Sequence, residues 1–427
     1  MVLLHDLVNL VRRDFPSSKL SGDLEMIEKT NNISTTEVNM NLNDIHIYVT
    51  HYEVGEEPSV TCGILTYNEE RSISRCIKSI ENEFDEIIVL DSYSQDDTKQ
   101  IIEKHFTKVK LIQAEWNNNF SYSRNKLIDI SNSDFIFFID ADNYLDEKSK
   151  YKIKRVAKLV SYLNLKCVIS PIIIEHNGHI YTDNRKMFLT NNSIYFKGKV
   201  HEEPFINGGV VPLNITADIV IHHDGYDPQF VNQDTKNSRN IALTQEMINI
   251  EPESPKWHYF YARELLREKG SLDKVVYHLK TSLELYKKQE NKYFRYQDEA
   301  LVLMCKVLYN AGKIKQLMGY INELETLNEH CIDVDYFRGL ILLTDIRRRV
   351  ESIVSSLRIE EVSNKFSYIN SRNEHIHMLL GQLYSYLDNW EMVTESYENV
   401  HSNHLKVQII SNFNQISKNI NKYREKV

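Results

Sequence analysis

Residues 134–142 read Asp-Phe-Ile-Phe-Phe-Ile-Asp-Ala-Asp, and this stretch decides the fold. The apolar run at 135–139 predicts a buried strand that ends in two carboxylates, Asp140 and Asp142. Ligands of open α/β sheets bind at the carboxyl ends of the strands. Two aspartates at such an end can share one hard cation, whose shell substrate phosphates and water complete. A solvated turn after a core strand would show the same pattern, so the pair needs support from the rest of the chain.

Strand-like and helix-like segments alternate upstream of this stretch. Strands are predicted at 59–65, 86–90, 109–112 and 134–139, and helices at 69–80, 96–106 and 120–130. This βαβαβαβ order predicts a mostly parallel sheet with right-handed crossovers. A helix at 148–163 follows, and then strands at 167–174, 185–189, 193–196 and 215–222. These strands lie too close together for intervening helices, which predicts an antiparallel or mixed part of the sheet.

The remaining segments have helical periodicity and divide the chain into three predicted regions. Residues 1–57 form an N-terminal helical segment and linker, in which Leu4, Leu7, Val8 and Val11 share one helix face. Residues 58–232 form the α/β domain. Residues 233–427 form a helical region with glycines between paired helices. The pairing predicts a degenerate tetratricopeptide-like (TPR-like) array, although an irregular helical bundle would give a similar pattern.

Composition excludes several classes of function. The 427-residue chain carries a net charge of −9, which gives no footprint for nucleic acid. Its five cysteines include no Cys-x-x-Cys pair, so we expect buried thiols in a reducing compartment. No apolar run reaches membrane-spanning length and no signal peptide is recognisable, which predicts a cytoplasmic protein. The phosphate-binding glycine motifs of dinucleotide-binding and P-loop proteins do not occur.

Polar side chains follow three of the predicted strands. They form Thr-Tyr-Asn-Glu-Glu at 66–70, Asp-Ser-Tyr-Ser-Gln-Asp-Asp-Thr at 91–98 and Asp-Ala-Asp at 140–142. One such cluster could arise by chance, but three on neighbouring strands predict a crevice. Asn68 and Ser94 could also cap the helices that follow.

Together with Ser-Arg-Asn at 123–125, these motifs resemble those of the family 2 glycosyltransferases, which use nucleotide-sugar donors on a GT-A fold. The resemblance covers roughly residues 59–226. Stretches at 86–98, 120–126, 138–143, 198–204, 223–228 and 251–257 resemble a narrower group, the peptide S-glycosyltransferases that modify glycocin (sublancin-type) bacteriocin precursors. The expected fold is therefore a Rossmann-like GT-A domain followed by an all-α TPR-like domain.

The resemblance implies a donor site built from the three clusters. Tyr67 would offer a ring face to uracil, unless it is a core tyrosine, and Asp91 would accept from the uracil N–H, unless it caps a helix. Arg124 would pair with a donor phosphate or with an acidic residue of the site. Asp140 would contact the ribose or the metal, and Asp142 would bind the metal directly. Further residues of the implied nucleotide site are Asn68, Glu69, Ser92 and Ala141.

The resemblance implies that residues 199–204, which follow a predicted strand, face the acceptor. Glu202 or Glu203 is the candidate general base, and the other glutamate would be a solvated strand-end charge.

His223 precedes Gly225-Tyr226 in a setting where the family often supplies a further metal ligand, although a lone histidine is more often structural. Arg185 and Lys186 could line the sugar or diphosphate pocket, or be strand-edge charges.

The resemblance thus implies an inverting glycosyltransferase that depends on Mg²⁺ or Mn²⁺. It would move a hexose, glucose from UDP-glucose, onto a cysteine of a ribosomal bacteriocin precursor peptide, with serine left open as an acceptor. The helical region would hold the peptide or form a homodimer. Two other hypotheses are a glycosyltransferase for a lipid-linked or lipopolysaccharide-core acceptor, and an inactive transferase domain that serves as a helical-repeat scaffold.

Overall fold

The computed structural model describes residues 2–27, 35–190, 194–209, 211–223, 233–288, 295–357, 362 and 366–424. The chain divides into two compact units, Met1–Lys288 and Gln289–Val427. The first unit contains the sheet and three helices that follow it, and the second is helical. The predicted domain boundaries at 57 and 232 stay predictions.

The first unit contains both strands and helices. Its strands are β1 (Val2–Leu3), β2 (Glu37–Val38), β3 (Val60–Thr66), β4 (Glu86–Asp91), β5 (Lys110–Gln113), β6 (Phe135–Asp140), β7 (Asn143–Leu145), β8 (Cys167–Glu175), β9 (Ile180–Tyr181), β10 (Met187–Leu189), β11 (Ile194–Lys197), β12 (Glu203–Ile206) and β13 (Leu213–His223). Its helices are α1 (Leu4–Asp14), α2 (Lys19–Glu25), α3 (Ile45–Val54), α4 (Ile73–Ile80), α5 (Thr98–His105), α6 (Phe120–Ile130), α7 (Lys152–Tyr162), α8 (Gln233–Ile250), α9 (Pro255–Arg267) and α10 (Leu272–Lys288).

Nine strands form the main sheet, eight of them in the order β5-β4-β3-β6-β10-β8-β13-β7, with β9 paired to β8. The first four strands of this order are parallel to one another. Strand β10 is antiparallel to both of its neighbours, whereas β13 runs parallel to β8. The predicted GT-A-like architecture, a parallel half followed by a mixed half, is therefore confirmed.

Strand β6 is buried on both faces, as its continuous apolar sequence predicts. Phe135, Phe137 and Ile139 pack into the larger core cluster of the unit. Ile136 and Phe138 point to the other face and join a second cluster. Because both faces are covered, this strand accommodates a polar side chain only at its last residue, Asp140, where the candidate site begins.

The structure differs from the predicted elements around residue 145. The predicted helix at 148–163 begins only at Lys152, after strand β7 and a short 3-10 turn at Glu147–Ser149. Tyr151 has a left-handed backbone with φ of 64°, which a right-handed helix cannot include. Of the predicted strand at 193–196, residue 193 lies outside the described residues.

The helices after the sheet pack as neighbours in sequence, as expected for a TPR-like region. In the first unit α8 packs on α9, and α9 packs on α10. The second unit contains α11 (Gln297–Asn310), α12 (Ile314–Leu327), α13 (Ile332–Leu357), α14 (Glu374–Tyr386), α15 (Trp390–Glu398) and α16 (Asn403–Arg424). There α11 packs on α12 and α14 packs on α15. Gly381 of α14 lies against the Tyr397 ring, where a Cβ atom would not fit.

Two composition-based expectations can be compared with the structure. All five cysteines are free thiols, and four of them are buried, as predicted. Within the residues that the structure describes, none of the helices combines the length and the apolar character needed to cross a membrane.

Candidate active site

The loops after β3 and β4 are joined by hydrogen bonds between side chains and backbone. The Asn68 amide N–H donates to Ser94 Oγ (2.9 Å), and the Gln95 N–H donates to Asn68 Oδ1 (2.7 Å). Asn68 has a φ of 54°, which asparagine tolerates better than most residues. The Glu69 N–H donates to Thr98 Oγ1 (2.7 Å). Two of the three predicted clusters therefore form one fixed rim at the carboxyl edge of the sheet.

Asp91 is fully buried and accepts hydrogen bonds that hold this rim in place. Its carboxylate accepts hydrogen bonds from the Ser94 N–H (3.1 Å), from Ser94 Oγ (2.5 Å) and from Gln113 Nε2 (3.0 Å). The Ser92 N–H donates to the Thr66 carbonyl (3.0 Å), which ties the two strand ends together. Tyr67, in contrast, is 55% exposed, so it is not a core tyrosine and its ring is accessible to a ligand.

Arg124 joins two acidic residues that are distant in sequence. Its Nε donates to Glu202 Oε1 (2.6 Å) and its Nη2 to Asp140 Oδ1 (3.1 Å). The other Asp140 oxygen accepts from Lys186 Nζ (2.6 Å). Burial opposes the charge of Arg124, but the carboxylates of Glu202 and Asp140 raise the Arg124 pKa above its ordinary value. Partial burial opposes ionisation of Asp140, whose side chain is 40% exposed, but Lys186 and Arg124 hold the Asp140 pKa well below its ordinary value.

This network brings three of the predicted site residues together, namely Arg124, Asp140 and Glu202. It also places Lys186 inside the site, whereas the sequence did not decide whether Lys186 lines the pocket or is a strand-edge charge. Because both Asp140 oxygens already accept from cations, Asp140 has less capacity than Asp142 to bind a metal directly. Its contact with a ribose, which needs only one further acceptor position, remains compatible with this geometry.

Asp142 directly precedes β7, His223 ends β13, which pairs with β7, and the two side chains fit a divalent cation. The Asp142 Oδ2 atom is 3.4 Å from His223 Nε2, and Asp142 Oδ1 is buried with no hydrogen-bond partner in the part of the chain that the structure describes. Carboxylate oxygen is a common ligand of Mg²⁺ and Mn²⁺, and the neutral imidazole nitrogen is a frequent ligand of metal ions in general. His223 Nδ1 is 3.9 Å from Glu175 Oε1, the side on which carboxylates often orient a metal-binding histidine. In the described part of the chain, no three His, Cys, Asp or Glu side chains converge as a complete ligand set. A metal here would therefore share its shell with the diphosphate and water.

Glu69 lies close enough to Asp142 for the charge of Asp142 to affect the Glu69 pKa. Burial raises the Glu69 pKa, a hydrogen bond from Ser72 opposes that rise, and the charge of Asp142 adds to it. Ala141, between the two aspartates, is buried and brings no polar group. A cation bound at Asp142 would relieve the repulsion between these two carboxylates.

Several buried polar atoms around the strand ends have no hydrogen-bond partner among the described residues. They are Thr66 Oγ1, Arg124 Nη1, Asp142 Oδ1, Asn143 Oδ1 and Arg185 Nη1. Buried polar groups are almost always hydrogen-bonded in folded proteins, so each exception calls for an explanation. Because donors and acceptors both occur in this set, a ligand that carries anionic oxygens and a cation would satisfy it.

The two candidate bases point to opposite sides. Glu202 contacts Arg124, whereas Glu203 Oε2 accepts from Lys256 Nζ (2.6 Å) on α9. Glu203 is only 3% exposed, so the expected solvated strand-end charge does not describe it. Lys256 was not anticipated from the sequence, because nothing in the local pattern connects it to a residue 53 positions earlier. The predicted Gly225-Tyr226 context of His223 and the stretch at 224–228 lie outside the described residues.

Comparison with known proteins identifies the family. Residues 61–216 match the family model described as "Glycosyl transferase family 2". The chain is 38% identical over 407 residues to the SPbeta prophage-derived glycosyltransferase SunS of Bacillus subtilis, and the match covers 95% of both chains. Glycosyltransferase SunS of Bacillus phage SPbeta matches with the same identity and coverage. A TPR repeat-containing protein of Synechococcus elongatus is 24% identical over 228 residues, which cover 52% of this chain and 48% of that protein. With a relative this similar over nearly its whole length, the chain belongs to the family 2 glycosyltransferases.

Proposed function

We propose that this glycosyltransferase moves glucose from UDP-glucose onto a cysteine thiol of a ribosomal bacteriocin precursor peptide, with inversion at the anomeric carbon. The observation that carries the proposal is the set of unpartnered buried atoms at the strand ends, led by Arg124 Nη1 and Asp142 Oδ1. A nucleoside diphosphate with its cation offers an acceptor to the first atom and a positive charge to the second. The peptide acceptor rests on the resemblance to the glycocin enzymes and on the similarity to SunS along the whole chain.

The nucleotide would bind over the fixed rim. Tyr67, with its exposed ring, would stack on uracil, and such stacking contributes about 1–3 kcal/mol per base. Asp91 would accept from the base N–H in addition to its present donors, and Asn68, Glu69, Ser92 and Ala141 would shape the surroundings. Asp140 would hold the ribose.

Asp142 and His223 would hold Mg²⁺ or Mn²⁺, with Asp140 nearby as the third residue predicted for the metal site. When bound, the ion neutralises negative charge that develops on the departing diphosphate. Arg124 Nη1 would donate to a phosphate oxygen and add to this stabilisation. The helical part of the chain would bind the peptide or form a homodimer, and the protein would work in the cytoplasm.

Glu202 is the better candidate for the general base, because it belongs to the Arg124–Asp140 network, which would face the donor. It would accept the acceptor proton as the sulfur attacks the anomeric carbon opposite the leaving UDP. Ionising a thiol with pKa 8.5 at pH 7 costs only about 2 kcal/mol, whereas a serine hydroxyl would depend far more on the base.

Intact-mass analysis tests the proposal. A cysteine-containing glycocin-type precursor peptide is incubated with the full chain, UDP-glucose and Mn²⁺ or Mg²⁺, beside the same peptide carrying Cys→Ala. The expected result is a gain of one hexose only when the thiol is present. Release of UDP without a peptide adduct would discard the peptide acceptor and favour a lipid-linked one. Failure to bind UDP in the presence of metal would refute the enzyme and favour the scaffold.

A further inference from the structure

Residues 198–202 connect β11 to β12, whose first residue is Glu203. We call residues 198–203, which carry the two adjacent glutamates, the glutamate segment. At its start, the Lys199 carbonyl accepts from the Phe120 N–H (2.9 Å) at the beginning of α6. At its end, the side chains diverge, with Glu202 directed to Arg124 and Glu203 directed to Lys256. The orientation of Glu202 therefore depends on what holds its neighbour.

Helix α9 holds this segment at three points. Lys256 Nζ donates to the His201 carbonyl (2.7 Å) as well as to Glu203 (2.6 Å). The His201 ring stacks on Phe260, with ring centroids 4.0 Å apart and an interplanar angle of 11°. On its far edge, His201 Nε2 is 3.4 Å from a carboxylate oxygen of Glu264.

The backbone of the segment is fitted to the same helix. Gly198 has a φ of 103°, and a Cβ atom there would lie 2.7 Å from the Trp257 ring. His201 has a φ of 50°, a left-handed conformation that costs free energy in most residues other than glycine. Two unusual backbone conformations in four residues indicate that packing on α9, and not local preference, determines the path of the segment.

Burial makes the Lys256 contacts sensitive to substitution. Lys256 is 8% exposed and Glu203 is 3% exposed, so neither charge is well solvated when its partner is removed. A buried ion pair is tolerated when its remaining donors and acceptors are satisfied. Here the His201 carbonyl accepts a second hydrogen bond from Lys256 Nζ. Helix α9 lies beyond residue 216, where the match to the family 2 model ends.

We propose that Lys256 is a positioning residue for Glu202: by clamping Glu203 and the His201 carbonyl to α9, it aims Glu202 at Arg124 and the reacting atoms. Glu203 is then an anchor and not the base. The inference rests on the proposed function, since it names the residue that prepares the same site. Helix α9 thereby becomes part of the transferase site, although it follows the domain that the family shares.

The first test compares Lys256→Met with wild type in the full chain. Misplacement of a catalytic group by about 1 Å can cost about 100-fold in rate. We therefore expect kcat for peptide glycosylation to fall by about that factor, while the donor KM and UDP affinity change less than about 2-fold. The matched control is Arg155→Met. It breaks another ion pair to a nearly fully buried carboxylate, Arg155 Nε to Asp23 Oδ1 (2.6 Å), which joins α7 to α2. The control should keep its kcat.

A double variant separates positioning from charge balance. In Glu203→Gln/Lys256→Met no buried charge is left unpaired, so the fold is protected even if Lys256→Met alone unfolds. If Lys256 positions Glu202, the double variant stays slow, because the His201 carbonyl still lacks its donor. Recovery of kcat to near wild type would overturn the proposal. So would a loss in Glu203→Gln as large as that in Glu202→Gln, since Glu203 would then be the base.

Hydrogen exchange supplies a readout that does not need activity. Amide protection of residues 198–206 should fall in both Lys256 variants and stay unchanged in Arg155→Met. Unchanged protection in the Lys256 variants would overturn the clamp. If wild type adds no hexose to any peptide, the proposed function has failed, and this exchange comparison alone decides whether the clamp exists.

Discussion

Replacing Arg124 by methionine, alone and with Glu202→Gln, measures how strongly the central network is coupled. Methionine keeps the apolar stem of the side chain but removes both ion pairs and the guanidinium that lies over the rings of Phe138 and Phe196. Asp140 is 40% exposed and keeps Lys186, so it loses little. Glu202 is only 13% exposed and loses a partner at 2.6 Å.

The expected loss in free energy of unfolding follows from the Glu202 carboxylate, which loses its partner in Arg124→Met. Removing one partner of a buried pair costs about 3–5 kcal/mol, and partial exposure of Glu202 puts Arg124→Met near the lower end. Glu202→Gln should cost about 1–2 kcal/mol, because Arg124 retains Asp140. The double variant leaves no buried carboxylate without its partner. Its loss in free energy of unfolding should therefore be about 2 kcal/mol smaller than the sum of the two single losses.

Urea denaturation of the four proteins gives the free energies of unfolding, and kcat is measured on the same preparations. General bases contribute about 100- to 10,000-fold in rate, so both single variants should be slow. The double variant should be slower than Glu202→Gln, because it also loses the donor that Arg124 Nη1 would offer to the diphosphate. Stability effects that add within about 0.5 kcal/mol would show that the two residues are not coupled and would refute the network.

Three further predictions concern single residues. Asp142→Asn should abolish transfer and weaken Mn²⁺-dependent UDP binding without lowering the melting temperature, because its Oδ1 has no hydrogen-bond partner among the described residues. Asp146→Asn is the control, and unaltered metal dependence in Asp142→Asn would contradict the assignment. Asp91→Asn should lower the free energy of unfolding by about 1–3 kcal/mol and weaken UDP binding, since the carboxylate accepts from three donors, and denaturation with calorimetric titration checks both. Burial lowers the pKa of His201 from 6.5 to about 4. The unfolded chain therefore binds that proton first, and stability should fall by up to about 3 kcal/mol as the pH drops from 6.5 to 4. His201→Asn, which tolerates positive φ, should flatten this slope in denaturation at several pH values.

Hydrophobic periodicity was sufficient to predict the parallel half of the sheet. Helix α6 has the bounds that its spacing predicts, and the buried face of α1 is the predicted set of four residues. Such segments are long and strongly periodic, so local pattern and tertiary burial agree. The short strands β7, β9 and β12 were not predicted, because two to four residues carry too little periodicity and depend on the strand beside them.

The candidate site likewise combines residues that the sequence could predict with contacts that it could not. Clustered polar residues after strands identify the carboxyl edge of a sheet from sequence, because parallel strands bring those ends together. Their partners were not predictable in this way. Lys186 reaches Asp140 only because β10 runs antiparallel beside β6, and the neighbouring glutamates differ only in what packs against them.

The sequence by itself therefore determined the order of the elements in the parallel half of the sheet, the family and the acidic residues of the candidate site. Tertiary structure alone decided that Glu202 faces Arg124 while Glu203 is anchored to Lys256 on α9. The physical reason is that motifs record what a short stretch can do with its own backbone. Ion pairs between residues far apart in the chain depend on which surfaces the fold buries together.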